Sequence, residues 1–294
     1  MPKKSEDELV RSLTSLWLVG EDLVRGPGDD CAIHKPIPRG TLPVSKVDAI
    51  VEGVHFRSED SAVCVGHKAL ARVFSDFAAM GATPRQALIS IGYPFQERPH
   101  RWLKECYRGM ARLAVPVGVG LAGGEITRSD QIWLSVSAMG WVPKQRYVLR
   151  NTARPGDVLF VTGRLGGSFP KRHLTFTPRM DEGRWLAEFG ISAMMDLSDG
   201  LGKDLPRMAE ASLCSFRIYP ESVPKRRGCD LNQAVNDGED YELLFAVSAK
   251  KAKRLEVDWP FSVPLTAIGE FLEKDEPVDT GGISFSGWDH VKAV

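Results

Sequence analysis

Six carboxylates stand apart from the other acids of the chain because of what flanks them. Asp30 closes the turn Gly28-Asp29-Asp30, Asp48 breaks a strand-like run, Asp76 breaks a helix-like run, and Glu125 follows Gly123-Gly124. Asp196 and Asp199 bracket Ser198 just before Gly200. Any one of these acids suits a solvated surface or a helix cap. Together they pose a charge problem, because an unpaired carboxylate withdrawn from water costs several kcal/mol. Divalent cations supply the missing charge. No histidine or cysteine falls at ligand spacing, so the donor set is all oxygen, which suits magnesium or manganese rather than zinc or copper. Separated carboxylates at element ends are what a nucleotide-triphosphate site with several metals requires. The pairs Gly123-Gly124 and Gly166-Gly167, and the helix start after Asp199, could bring backbone amides to phosphate. No GxxxxGK[ST] loop is present.

Alternating and helical hydrophobic spacing shows what must carry these groups. The first half reads as strands over 44–51, 87–92, 117–122 and 132–141, with helices over 62–80 and 101–113. Gly81 and Pro84 stop the first helix. Lys68, Arg72 and Asp76 share one face of it, and Arg72 with Asp76 also suits a solvent-facing ion pair at i,i+4. The polar, proline-bracketed stretch 143–155 reads as a linker. Beyond it, strands are expected over 158–162, 191–197, 216–219, 242–247 and 263–271, with helices over 201–211 and 250–255. Pro206 must then lie in the first turn of its helix or kink it. Alternating strands and helices make the first half α/β or α+β.

A length of 294 residues suggests two domains, each able to bury its own core. Lysine and arginine number 38, as do aspartate and glutamate, which argues against a broad nucleic-acid footprint. The apolar stretch 114–122 is broken by Pro116, Gly118 and Gly120 and is too short to span a bilayer. The opening MPKKSEDELV lacks an export signal, so a cytoplasmic protein is expected. The five scattered cysteines read as reduced thiols, and Lys225-Arg226-Arg227 as a solvated loop.

Six longer motifs are specific enough to compare with a known family: GDDCA (28–32), VDAIVEGVHF (47–56), GHKALARVFSDFAAMGATP (66–84), GGEITRS (123–129), DLSDGL (196–201) and GEDYELLF (238–245). In order and content they resemble the thiamine-monophosphate kinase family, in the aminoimidazole-ribonucleotide synthetase superfamily, and the resemblance runs on to GWDH (287–290). It implies a two-domain PurM-like fold, α/β and α+β. The N-terminal ATP- and metal-binding domain, 1–145, would dimerise through its strands, and 146–294 would form a C-terminal α+β domain. The implied reaction is direct in-line transfer of the ATP γ-phosphoryl group to thiamine monophosphate, with several Mg2+ ions. By matching position, Asp30, Asp48, Asp76, Glu125, Asp196 and Asp199 resemble the metal ligands. Tyr107, Gly124, Arg150 and Ser198 resemble ATP contacts, and His55, Glu239 and Trp288 the substrate contacts. Asp48 and Arg150 are the implied catalytic residues. The resemblance thus implies a homodimer that binds ATP and thiamine monophosphate, with no nucleic-acid or membrane partner.

Two departures stand out. Lys46 and Val47 precede Asp48 where the family carries hydroxyl residues, so the Lys46 ammonium is expected to take over part of one magnesium's charge. Glu125 replaces an aspartate and adds a methylene. Two rivals follow: another ATP-using enzyme of the superfamily, acting on formylglycinamidine ribonucleotide or selenide, and a nucleotide-binding homologue without turnover. His55, GEDYELLF and Trp288 oppose the first, and the retained Asp48, Asp76, Asp196 and Asp199 oppose the second.

Overall fold

The structure, a computed structural model, describes residues 5–17, 20–289 and 291. Its contacts divide the chain into two units, one comprising residues up to 74 with 83–144, the other 75–82 with 145 onward.

The first unit runs α1 (Glu6–Thr14), β1 (Leu23–Arg25), β2 (Ile33–His34), β3 (Thr41–Val51), most of α2 (Ala62–Ala79), β4 (Thr83–Tyr93), α3 (His100–Ala114), β5 (Gly120–Arg128) and β6 (Trp133–Pro143). Helix α1 was not foreseen, although Ser5 and Glu8 form a reciprocal capping box at its start. Four strands make a sheet in the order β3-β6-β4-β5, with only β4 and β5 parallel. Period-two alternation sorts the faces: Leu134, Val136, Ala138, Ile89 and Ile91 are buried, while Val47 and Leu88 on the other face are exposed. Helices α2 and α3 touch backbone to backbone. A Cβ on Gly66 would lie 1.9 Å from the Cys106 carbonyl oxygen, and one on Gly109 would lie 2.0 Å from that of Val63. Because α2 is covered almost all round, Lys68 does not lie on a solvent face. It is fully buried and donates to the His55 carbonyl at 2.7 Å.

The second unit contains β7 (Asp157–Thr162), α4 (Met180–Phe189), β8 (Ala193–Asp196), α5 (Leu201–Ala211), β9 (Ser215–Ile218), α6 (Leu231–Asn236), β10 (Leu243–Ser248), α7 (Ala249–Asp258) and β11 (Leu265–Leu272). Its five strands pair antiparallel in the order β8-β10-β7-β11-β9. Both faces carry core: Leu159, Val161 and Leu244 pack with Leu205 and Met208, and Phe160 and Phe245 pack with Leu186 and Leu255. Burial on both sides explains why β10 reads as an unbroken apolar run rather than an alternating one. The end of α2 belongs to this unit because a Cβ at Gly183 of α4 would stand 2.1 Å from the Ala78 carbonyl oxygen. Pro206 falls inside α5, past its first turn, so the Gly202 carbonyl lacks a helical N–H partner. Among the described residues no helix is long and apolar enough to cross a membrane.

Candidate active site

In the first unit the candidate acids occupy two places. Asp30 and Glu125 line a cleft of about 680 Å³ with Asp29, Tyr107, Gly123 and Gly124. Gly28, at φ 119°, admits the turn that presents Asp29 and Asp30. Glu125 lies within β5 rather than at a strand end, since β5 begins later than the expected 117–122 and continues beside β4 to Arg128. A Cβ on Gly124 would meet the Ile89 carbonyl oxygen at 2.0 Å, so this glycine is needed for strand pairing and leaves bare backbone at the cleft. Gly118, Gly120 and Gly123 do spell G-x-G-x-x-G. They lead into and along β5, however, not from a strand into a helix as a dinucleotide site requires. Tyr107 is buried, and burial, then Cys106, raises its phenol well above the ordinary value, so it acts at neutral pH as an O–H donor.

Asp48 lies elsewhere in this unit. It sits on β3, at the sheet edge opposite β5, and faces the buried side across from Val136, whereas Glu125 stands across from Ser90 on the other face. Lys46 Nζ is 3.5 Å from Asp48 Oδ1. His55 Nδ1 accepts the Val51 N–H at 3.1 Å, which fixes the ring proton on Nε2.

In the second unit Asp196 ends β8 and accepts the Ser75 hydroxyl on Oδ2 at 2.6 Å. Asp76, half-buried beside Ser75 in sequence, belongs to this unit too. Asp199 Oδ2 accepts Arg207 Nη1 at 2.6 Å, with Lys203 Nζ at 3.7 Å. Arg150 is exposed, its carbonyl anchored by the Ser212 hydroxyl at 3.1 Å. Ser198, Asp199, Glu239 and Trp288 converge on one turn. Glu239 N–H donates to the Ser198 carbonyl at 2.7 Å, Tyr241 N–H to that of Leu197 at 2.8 Å, and Trp288 N–H to that of Asp199 at 2.9 Å. Gly287, at φ 100°, makes the last approach possible, since a Cβ there would be 2.7 Å from the Asp199 carbonyl oxygen.

The sequence reading missed Asp204, in the first turn of α5. It is fully buried, accepts the Asp199 N–H at 2.9 Å and Arg207 Nη1 at 3.1 Å, and so ties the turn that precedes α5 to the helix. Burial, then the neighbouring Asp196 and Asp199, pushes its carboxyl up to about 7. An acid five residues after Asp199, at a helix start, was the available signal. Between about pH 4 and about pH 7 the native state therefore binds more protons here than the unfolded chain. This contribution to stability is full below about pH 4 and is lost as pH rises through about 7. Asp204→Asn is expected to flatten that slope in urea titrations run with a chelator, and a slope unchanged in the variant would assign it to other groups.

Two expectations are corrected. The amides of Gly166 and Gly167 do not await phosphate, because they donate to the Asp240 and Asp237 carboxylates. Arg226 is not solvated: it donates to Asp240 Oδ1 at 2.8 Å and to the Gly166 carbonyl at 2.7 Å, leaving only Lys225 and Arg227 exposed. Buried Asp240 draws it inward.

Among the described residues no three histidine, cysteine or acidic side chains gather as a metal-binding group. The donor set nevertheless fits a hard cation. It is all oxygen, the ligand type that hard cations such as Mg2+ take.

Two family models match the chain: AIR synthase related protein, N-terminal domain, over residues 28–142, and the C-terminal domain over 170–278. A Rhodopirellula baltica protein named thiamine-monophosphate kinase is 37% identical over 78% of this chain and 75% of its own length. The crystal structure of thiamine-monophosphate kinase from Stenotrophomonas maltophilia K279a is similar at TM-score 0.83 and 30% identity, over 95% of this chain and 98% of that one. A structure of AaThiL complexed with AMPPCP and TMP is similar at TM-score 0.76 and 29% identity, over 86% and 88% of the two chains.

Proposed function

We propose a function on one premise: this chain belongs to the AIR synthase related proteins and, among them, to the thiamine-monophosphate kinase family. It transfers the γ-phosphoryl group of ATP to thiamine monophosphate, giving ADP and thiamine diphosphate. The observation that carries the reading is the convergence of Ser198, Asp199, Glu239 and Trp288 on one hydrogen-bonded turn, which joins nucleotide-type and substrate-type residues.

The acceptor is a phosphate monoester whose second pKa is about 6, so near neutrality it is already mostly dianionic. No general base is needed. An acceptor phosphate oxygen bonds to the γ-phosphorus in line as the bond to the ADP oxygen breaks, and ADP leaves with that electron pair. The barrier lies in bringing two polyanions together. The exposed Arg150 guanidinium can grip phosphate through two donors. Ser198 and the bare backbone at Gly124 offer donors that orient the nucleotide, and the Tyr107 hydroxyl adds another at the cleft. Asp30, Asp48 and Glu125 in the first unit, and Asp76, Asp196 and Asp199 in the second, would hold Mg2+, whose charge would offset that of the phosphates. Lys46 beside Asp48 takes over part of that charge, so fewer ions bind than where hydroxyl residues stand. Glu239 accepts from the aminopyrimidine and His55 offers its Nε2 proton. The indole of Trp288, which is 39% exposed, faces the permanent thiazolium cation for about 0.5–2 kcal/mol. The exposed sheet face around Val47 and Leu88 supports a homodimer formed through these strands.

Chromatography of products from the protein, ATP, magnesium and thiamine monophosphate tests the function. Equal amounts of ADP and thiamine diphosphate are expected. ADP without thiamine diphosphate would redirect the search to other acceptors, and no ADP with any acceptor would favour a binding protein.

A further inference from the structure

His173 is buried, with 1% of its side chain exposed, and both ring nitrogens face oxygen. Nε2 lies 2.9 Å from the Pro170 carbonyl and Nδ1 lies 2.9 Å from Glu239 Oε2. A carbonyl only accepts, so Nε2 carries a proton and donates it. Nδ1 and the Glu239 carboxyl then share one proton between them. The ring is itself fixed: its backbone N–H donates to the Ser168 carbonyl at 2.9 Å, and the Phe169 ring lies 4.9 Å away, centroid to centroid. At the other end of the contact, Glu239 has φ 55° and Tyr241 φ 51°. This left-handed backbone is uncommon for side chains of their size, and its strain gathers at functional sites. Glu239 is thus held at its backbone by Ser198 and at its carboxylate by His173 on Oε2 and, at the longer distance of 3.5 Å, by the Tyr241 hydroxyl on Oε1, with 26% of its side chain still open to solvent.

We propose that His173 is a positioning residue for thiamine monophosphate: it orients the Glu239 carboxylate so that one face accepts from the aminopyrimidine of the substrate. His173 does not touch the substrate. The proposal rests on the reading of Glu239 as a substrate contact. Holding a glutamate that otherwise samples many rotamers removes an ordering cost from binding, so the effect belongs in the KM for thiamine monophosphate and not in that for ATP.

Two substitutions separate this role from simple anchoring of the 168–174 loop. The amide nitrogen of Asn occupies roughly the place of Nδ1 and retains a donor to Glu239, whereas that of Gln occupies the place of Nε2 and retains only the donor to Pro170. His173→Gln is expected to raise the KM for thiamine monophosphate about 10- to 100-fold, the loss of a hydrogen bond to a charged group, with kcat and the KM for ATP unchanged. His173→Asn is expected to stay near wild type, and His173→Gln is expected to add nothing to Glu239→Gln. Rescue by Gln instead of Asn, or equal changes in both KM values, would overturn the proposal. If Glu239→Gln raises the substrate KM but His173→Gln does not, the proposal alone fails. If Glu239→Gln leaves it unchanged, the substrate reading of Glu239 fails and the proposal falls with it. Should the variants not fold, the wild-type protein answers through its ¹⁵N-histidine spectrum. Thiamine monophosphate, and not nucleotide alone, is expected to shift the His173 Nδ1 resonance, and no shift overturns the proposal.

Discussion

Asp48→Asn is expected to reduce phosphoryl transfer by at least about 100-fold and toward 1000-fold, with folding retained. The amide keeps the shape of the carboxylate and removes its charge. Lys46 Nζ lies 3.5 Å from Asp48 Oδ1, so the substitution also removes one negative charge beside an ammonium and makes the position less attractive to magnesium. The structural cost is small, because the pair is half-exposed and such ion pairs contribute about 0–1 kcal/mol. The informative comparison is the initial rate of ADP formation set against the thermal melting curve. A large loss of rate with an unchanged melt supports a role for Asp48 in the phosphate chemistry. Turnover near the wild-type rate would remove Asp48 from the metal ligands and shift attention to the acids lining the cleft, Asp30 and Glu125.

The second large effect is on stability. Glu242→Ala is expected to lower it by about 3–5 kcal/mol, the usual consequence of removing one partner from a buried ionic network. Glu242 is 1% exposed. Its carboxylate accepts from Arg172 Nη2 at 2.7 Å, Arg179 Nε at 2.6 Å and Nη2 at 2.8 Å, and the Thr162 hydroxyl at 3.0 Å. Burial already lowers the Arg172 pKa, and the attraction of Glu242 is the largest influence opposing it. Without Glu242 the guanidiniums of Arg172 and Arg179 lose their shared anion. Since domains of this size are stable by only about 5–15 kcal/mol, urea denaturation should show a clearly lowered midpoint. Glu242→Gln keeps an acceptor of the same shape and is expected to fall between the wild type and the alanine variant. Alanine with wild-type stability would mean that the network contributes nothing net.

The residue pattern alone determined the carriers of the site. The alternating run ahead of Val51, the helical spacing after Ala62 and the short apolar runs around 158–162 and 243–247 fixed strands and helices within a few residues, because side-chain periodicity is a local property of backbone geometry. Gly28 and the pair Gly166-Gly167 marked turns, whereas Gly123-Gly124 fell inside β5, and the long motifs carried the family. What tertiary structure decided was the partner of each group. Lys68, which spacing places on one face of its helix with Arg72 and Asp76, is buried against the His55 carbonyl, and Arg226 leaves its basic tract for Asp240. Within the single motif GEDYELLF, Glu239 faces His173 while Asp240 and Glu242 enter a buried network, a split that left-handed backbone at Glu239 and Tyr241 makes possible. Asp204 stands at a helix start that the spacing already marks, but its burial and its bond to the Asp199 N–H belong to the folded chain. The physical reason is common to these cases. Helix and strand follow from interactions a few residues apart, whereas the choice of partner for a charged side chain depends on which groups, often more than sixty residues away, desolvation forces it to meet.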